Sequence, residues 1–149
     1  MANYKKASVI VLANADGTQS IPTASSAQRL TWLETTDQIN YADTVSVFNG
    51  HTFTAPYTGF YQVSVSLWFG SAVTLTAGFV NLVKNSDLST SLLLTNGAQP
   101  TGAVQQATRT IRLAQGDTVA IFCAQTSGSS QTLDVRSSTL SIVRVGNAS

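Results

Sequence analysis

In a hydrolase, the base would have to be His51, the only histidine of this sequence. A Ser or Thr nucleophile needs a base within hydrogen-bonding reach and an acid that orients the base. His51 follows an Asn-Gly turn signal, which predicts an exposed loop position instead. Cys123 lies in an expected strand and is interpreted as a small buried core residue. We therefore expect no catalytic residues and no enzyme activity.

The acidic residues offer neither a catalytic pair nor a metal site. Glu34 is the only glutamate, and the six aspartates are scattered without the spacing of a glycosidase pair or a calcium loop. One cysteine excludes an internal disulfide and a cysteine zinc cluster. A phosphate-binding loop of the Gly-x-Gly-x-x-Gly type is absent. The sequence predicts no metal and no cofactor, and aspartates such as Asp43 and Asp117 are expected to cap turns.

Charge is scarce in this chain. Charged residues make up 10% of the 149 residues and the net charge is +1, whereas a typical protein has about 25% charged residues. Such a chain has no field to attract nucleic acid or an anionic membrane, and no apolar stretch approaches the roughly 20 residues of a membrane span. We expect neither partner. Ser and Thr replace the missing charges, which predicts that part of the surface is covered by other subunits.

The elements that must position these residues are β-strands. Apolar and polar residues alternate most clearly over 60–69, which predicts one long antiparallel strand. The same period predicts strands over 28–33, 44–53, 77–84, 108–113, 118–124 and 138–145, after a first strand over 7–13. The turn signals between strands are Asp16-Gly17, Asn49-Gly50, Asn85 to Asp87, Asn96-Gly97, Gly116-Asp117 and Gly128 to Ser130. Many short strands separated by turns predict an all-β sandwich or barrel.

The segment from Phe53 to Tyr61, with sequence FTAPYTGFY, resembles the signature of C1q-type domains. Pro56 would end the pairing of the incoming strand, because proline lacks an N–H group. Gly59 would allow a conformation that a side chain obstructs. Phe60 and Tyr61 would place one ring on each face of the next strand.

Four further segments follow the order of that family: 29–32, 82–85, 111–119 and 140–145. The resemblance covers 28–146 and implies a C1q/TNF-like jelly roll of about ten antiparallel strands that assembles as a homotrimer. It also implies a tight turn at Gly116-Asp117 between two late strands. The collagen-like stalk of many animal members is absent, and the loops hold few carboxylates, so calcium sites are not carried over.

The expected organisation is a single domain, with residues 1–26 as an N-terminal strand and loop that could serve as an anchoring arm, and 27–149 as the jelly roll. The predicted core is Tyr61, Val63, Val65, Leu67, Phe79, Leu82, Ile111, Leu113, Val119, Ile121, Leu140 and Ile142. The candidate trimer-interface residues are Phe60, Trp68 and Phe122, with Val9 and Val11 of the first strand. The candidate apical-loop residues are His51, Asn96, Gly97 and Ser129.

Two functions are compatible with this interpretation. A trimer poor in charge and without a convincing secretion signal suits a structural protein of a bacteriophage virion, made in the host cytoplasm as a capsid decoration (cement) protein or a head or tail fibre module. Its partners would be capsid or fibre proteins. The alternative is a recognition module that binds cell-surface glycans or proteins through apical loops. Trp32 and Trp68 could stack on sugars, although core or interface packing is the favoured use of both.

Overall fold

A computed structural model describes residues 10–17, 19–23, 27–34, 47–69, 75–87, 92–99, 104–134 and 137–147. These residues form twelve strands and no helix. The strands are β1 Ile10–Ala15, β2 Gln19–Ile21, β3 Gln28–Arg29, β4 Trp32–Glu34, β5 Phe53–Thr54, β6 Gly59–Trp68, β7 Leu75–Lys84, β8 Leu92–Gln99, β9 Val104–Leu113, β10 Thr118–Gln125, β11 Gln131–Leu133 and β12 Thr139–Gly146.

Two sheets pack face to face to make a sandwich. The first, here called the β6 sheet, has the order β4-β1-β12-β6-β9. The second, the β10 sheet, has the order β3-β10-β7-β8, with β5 paired to β10, and β11 and β2 form a small third sheet. All pairs of these strands are antiparallel. The all-β sandwich expected from the alternation is confirmed.

The core lies between the facing sides of the two sheets. Along β6, Tyr61, Val63, Val65 and Leu67 are buried, and the residues between them are exposed or half-buried. They pack with inward residues of β10 such as Ile121 in a single cluster. Eleven of the twelve predicted core residues are buried, so the predicted strand phase is confirmed for every core strand except β7.

The prediction for Phe79 is wrong, because its side chain is only half-buried. The buried face of β7 carries Val80 and Leu82 instead. Side chains three residues apart in a strand point to opposite faces, so Phe79 and Leu82 could share the core only across a bulge in β7.

The prediction of a turn at Asn96-Gly97 is also wrong, because both residues lie inside β8. Asn96 pairs with Phe79 and Gly97 pairs with Gly78 in the ladder to β7. Turn propensity is local, and here the hydrogen bonds to a long neighbouring strand override it. The sequence reasoning also missed strands β2, β8 and β11.

The strand predicted over 44–53 is interrupted, and its first three residues lie outside the described residues. Asn49 and Gly50 turn the chain, so that Phe48 forms a bridge with Phe53 and only Phe53–Thr54 pairs with β10. The Asn49-Gly50 turn signal is thereby confirmed, with Gly50 at a φ of 81°. A left-handed residue of this kind ends regular pairing.

The first strand is part of the sandwich. β1 lies between β4 and β12 and contributes Val11, Ala13 and Ala15 to the core. Residues 10–15 therefore stabilise the fold directly. The anchoring role expected for the N-terminal segment stays a prediction, and residues 1–9 lie outside the described part of the chain.

Truncating one core residue in each sheet should destabilise the protein. Leu67 and Ile121 are at most 1% exposed, so Leu67→Ala and Ile121→Ala should each lower the free energy of unfolding by about 2–5 kcal/mol. Ser20→Ala, at an exposed position of β2, should change it by less than about 0.5 kcal/mol. Urea unfolding measures all three, and unchanged midpoints for both core variants would show that the strand phase is wrong.

Candidate functional site

The outward side of the β6 sheet carries a patch of hydroxyl groups, here called the hydroxyl face. Ser64 lies opposite Thr108 of β9 and Ser141 of β12, and Ser66 lies opposite Thr139 of β12. Alternation explains the patch, because these side chains share the face opposite the core. Together they line a shallow depression of about 360 Å³, whose lining is Ser64, Val65, Ser66, Gln106, Ala107, Thr108, Thr139 and Ser141.

Hydrogen bonds tie the hydroxyl face across strands. Thr108 Oγ1 donates to Ser64 Oγ at 2.9 Å, and Gln106 Nε2 donates to Ser66 Oγ at 3.2 Å. Among the described side chains that the strand register places on this side of the sheet, Arg112 opposite Phe60 is the only charged one. The face is polar without being charged, so a second surface can cover it without desolvating a buried ion.

Two of the predicted interface aromatics flank the hydroxyl face. Phe60 and Trp68 point outward from opposite ends of β6, roughly 26 Å apart by the rise of a strand. Phe60 is 40% exposed, and half-buried Trp68 borders a second depression of about 300 Å³ with Ser66, Gln106 and Ser137. Phe122, the third predicted interface aromatic, lies on a different surface. It is on the outward side of the β10 sheet, opposite Arg29 and Asn81.

The assignment of Val11 to a subunit contact is wrong. Val11 is 0% exposed within the chain and packs in the core, so it has no surface to offer a neighbour. Leu12 is half-buried on the opposite face and pairs with Ser141, beside the hydroxyl face. A one-residue change of phase accounts for the error. Val9 lies outside the described residues.

The turn from Pro56 to Gly59 has the predicted structural role. A Cβ on Gly59 would lie 2.6 Å from the carbonyl oxygen of Gly146 and 2.7 Å from Arg144 Nε, so a side chain does not fit. Arg144 Nη2 donates to the Thr58 carbonyl at 3.0 Å, and its guanidinium lies 5.6 Å from the ring centre of Tyr57. Phe60 and Tyr61 point to opposite faces as expected.

Tyr61 connects this turn to the core through a hydrogen bond and a ring contact. Its hydroxyl donates to the Tyr57 carbonyl at 2.6 Å, and its ring packs against Phe53 with centres 5.5 Å apart. Burial raises the pKa of Tyr61 above its usual value. The phenol therefore remains a hydrogen-bond donor over the whole neutral range.

Gly116 and Asp117 form the second predicted turn. Gly116 has a φ of 86°, and Asp117 accepts the Ala114 N–H at 2.8 Å and the Asn85 side-chain amide at 2.9 Å. Lys84 Nζ lies 2.6 Å from the same carboxylate. Asp117 thus joins the β9–β10 turn to the end of β7, and the turn-capping role expected for it is confirmed.

Acid should weaken the fold through Asp117. Burial alone would raise the pKa of its carboxyl, but hydrogen bonds from Lys84, Asn85 and the Ala114 amide outweigh burial and lower the pKa to about 2. A pKa depressed on folding adds stability above the unfolded pKa near 4, and this stability is lost as the pH falls towards 2.

Asp117→Asn should therefore reduce the loss of unfolding free energy between pH 5 and pH 2, and thermal unfolding at both pH values measures that loss. Asp16→Asn, at an exposed carboxyl after β1, is the control. An equal pH dependence in Asp117→Asn and the unsubstituted protein would contradict the assignment.

The candidate apical loops differ in how many of their polar groups are already hydrogen-bonded within the chain. Around Ser129 the polar groups satisfy one another: the buried Gln125 side chain donates to the carbonyls of Ile21 and Ser129 and accepts the Ser127 N–H. The Ser129 hydroxyl accepts a bond from Gln131. Asn96 and Gly97 are backbone-paired strand residues. The exposed loop residue of this set with an ionisable side chain is His51.

His51 lines a cleft beside the edge strand β4. The cleft measures about 340 Å³ and is lined by Asp16, Trp32, Leu33, Phe48, Asn49, Gly50 and His51. Sequence reasoning found His51 and Trp32 but missed Asp16 and Leu33, because the approach of β4 to the Asn49 turn is a long-range contact. Among the described residues, no group of three or more His, Cys, Asp or Glu side chains is placed to hold a metal ion.

Cys123 is a core residue, as predicted. It is 1% exposed, and burial raises the pKa of its thiol to about 12. The thiolate, which is the reactive form, is therefore scarce at neutral pH.

Cys123 should resist thiol reagents in the native protein. Treatment with Ellman's reagent at pH 8 should give almost no release of coloured thiolate until denaturant is added, and then one equivalent. Cys123→Ser provides the blank. Rapid stoichiometric labelling under native conditions would show that the strand carrying Cys123 opens readily.

Within the part of the chain that the structure describes, no helix is long and apolar enough to cross a membrane. No protein-family model and no curated protein sequence matches the chain. Solved structures do match. Murine APRIL at pH 8.5 superposes with a TM-score of 0.64 at 12% identity, covering 93% of this chain and 99% of that one.

Eiger TNF from S. frugiperda superposes with a TM-score of 0.61 at 15% identity, covering 97% of this chain and 96% of that one. Murine APRIL at pH 5.0 gives a TM-score of 0.58 at 14% identity, covering 94% and 100%. The fold is therefore a TNF-like jelly roll, as the resemblance to C1q-type domains implied. Identities this low establish the fold alone.

Proposed function

We propose that this chain is a non-enzymatic assembly module that forms a homotrimer through the hydroxyl face, and that it serves as a structural protein of a bacteriophage virion. The main support for this subunit contact is the scarcity of charge among the described side chains on the outward side of the β6 sheet. Interfaces are depleted of charge at their centre and keep aromatic residues, and here Phe60 and Trp68 flank a patch of Ser and Thr.

Exposed apolar side chains lie around the same face. Phe60 is 40% exposed and pairs with Gly146 of β12, next to Val145, which is 53% exposed. Isolated exposed apolar residues are ordinary. Phe60 and Trp68 flank a surface on which Arg112 is the only described charged side chain that the register places, and this scarcity of charge favours burial against another protein surface.

A trimer is the assembly that the TNF-like fold favours, and a virion is the setting that we propose for it. The low charge of the chain supports extensive packing against other subunits. The step from a packing module to a capsid decoration protein or a fibre module rests on analogy between folds. The proposed partners are therefore two further copies of this chain and a capsid or fibre protein.

The absence of enzyme activity belongs to the same proposal. Cys123 is buried, and the acidic side chain that lines the cleft with His51 is the carboxylate of Asp16. None of the described residues that line the cleft carries a Ser or Thr hydroxyl, so among them a nucleophile, base and orienting acid do not meet.

A charge placed on the hydroxyl face should prevent assembly. The purified protein should have a light-scattering mass near three times 15.7 kDa. Ser66→Lys should shift the mass to that of a monomer, since an unpaired ammonium group at a packed interface costs several kcal/mol. Ser20→Lys, at an exposed position of β2, is the matched control and should keep the trimer.

Electron microscopy of particles from the native source tests the setting. Trimers on a capsid or fibre would support the virion role. A trimer that never co-purifies with a particle would refute the virion role but keep the assembly, and a monomeric unsubstituted protein would refute both.

A second candidate function, recognition of a cell-surface glycan or protein, is favoured by one observation. The cleft at His51 and Asp16 is formed by an edge strand and a rigid turn, and it holds polar groups of both kinds, donors and acceptors. Concave sites with a few convergent polar groups are the usual form of a small-ligand site.

A further inference from the structure

The cleft beside β4 is preformed by backbone hydrogen bonds. The Trp32 N–H donates to the Gly50 carbonyl at 2.7 Å, which holds the Asn49 turn against β4, and the Asp16 N–H donates to the Thr31 carbonyl at 3.0 Å. A Cβ on Gly50 would lie 3.0 Å from the Trp32 carbonyl oxygen, and its φ of 81° also disfavours a side chain. The walls are therefore fixed before any ligand enters, which limits the ordering cost of binding.

The turn that carries His51 is also rigid. Asn49 Oδ1 accepts the backbone N–H groups of His51 at 3.0 Å and Thr52 at 2.8 Å. This leaves the Asn49 side-chain nitrogen as a donor and holds the exposed His51 at the rim. A carboxylate, an amide and an imidazole thus line one concavity of about 340 Å³.

Apolar surface adjoins these polar groups. Leu33 is 61% exposed, and Trp32 is 2% exposed. The indole nitrogen of Trp32 is buried and has no hydrogen-bond partner. Trp32 pairs with the buried Ala15 and belongs to the core, so this nitrogen lies out of reach of a ligand in the cleft, and Leu33 supplies the apolar surface.

The lining excludes several ligand classes. Among the described residues that line the cleft there is no lysine or arginine, so a phosphate, sulfate or other anion would meet the Asp16 carboxylate with no cation among them to offset it. It has too few metal ligands for a cation site. A neutral polyol fits best, because its hydroxyl groups both donate to a carboxylate and accept from N–H groups, while its C–H surface can pack on Leu33.

We propose that this cleft binds a neutral sugar unit, with Asp16 and Asn49 bonding its hydroxyl groups, His51 closing one side and Leu33 packing on its apolar face. The volume is at the small end of ligand sites, which suits one or two pyranose rings. This inference deepens the second candidate function and does not depend on trimer formation or on a virion.

The test is a glycan array probed with the purified full-length protein, followed by isothermal titration of the best neutral glycan. The array should carry neutral, sialylated and sulfated glycans side by side. Asp16→Asn should weaken binding by about tenfold or more, because a hydrogen bond to a charged group is lost, and His51→Ala should weaken it measurably. Asp87→Asn, at an exposed carboxyl in a turn outside the cleft lining, is the matched control and should bind normally.

Light-scattering mass of the same variants separates this proposal from the assembly proposal, since all three should keep the mass of the unsubstituted protein. Neutral glycan binding that Asp16→Asn weakens and Asp87→Asn does not would support the site. An array without any bound glycan, binding restricted to anionic glycans, or binding equally strong in Asp16→Asn would overturn it.

Discussion

Strand β6 lies between β12 and β9, and its side chains alternate between the core and the outer surface. This alternation separates an apolar side from a polar side, and the neighbouring strands of the sheet follow the same separation. One side of the strand carries Tyr61, Val63, Val65 and Leu67 into the core. Because successive side chains point to opposite faces, the other side must carry the residues between them. Those residues are Gln62, Ser64 and Ser66, so the same backbone produces an apolar core and an uncharged polar surface.

The β6 sheet extends this division across five strands. Thr108 and Gln106 bond to the serines of β6 from one side, and Ser141 and Thr139 face them from the other. Hydroxyl groups that already bond to one another need less from water, so covering them with a second protein surface leaves few polar groups without partners. The turn at Gly59 leads into β6, and Asp117 joins the β9–β10 turn to the end of β7.

Much of this architecture follows from local sequence. Alternation located the core strands, and the Pro56 to Gly59 turn, where a Cβ would meet the Gly146 carbonyl, followed from the residue types. Long-range pairing explains the failures. The Asn96-Gly97 turn signal is overridden by the ladder to β7. Val11 lies on the core face, opposite the buried Ile142, because pairing with β12 and β4 sets which side chains of β1 point inward. The cleft at Asp16 and His51 depends on how β4 meets a distant turn, which no local pattern encodes.

The most direct test of the central claim is a crystal structure of the purified, assembled protein. We expect three copies around a three-fold axis, with Ser64, Ser66 and Thr139 of each copy buried against a neighbour and Val11 in the core of its own chain. An assembly in which the hydroxyl face remains open to solvent in every copy, with contacts made elsewhere, would show that this face is not the subunit contact.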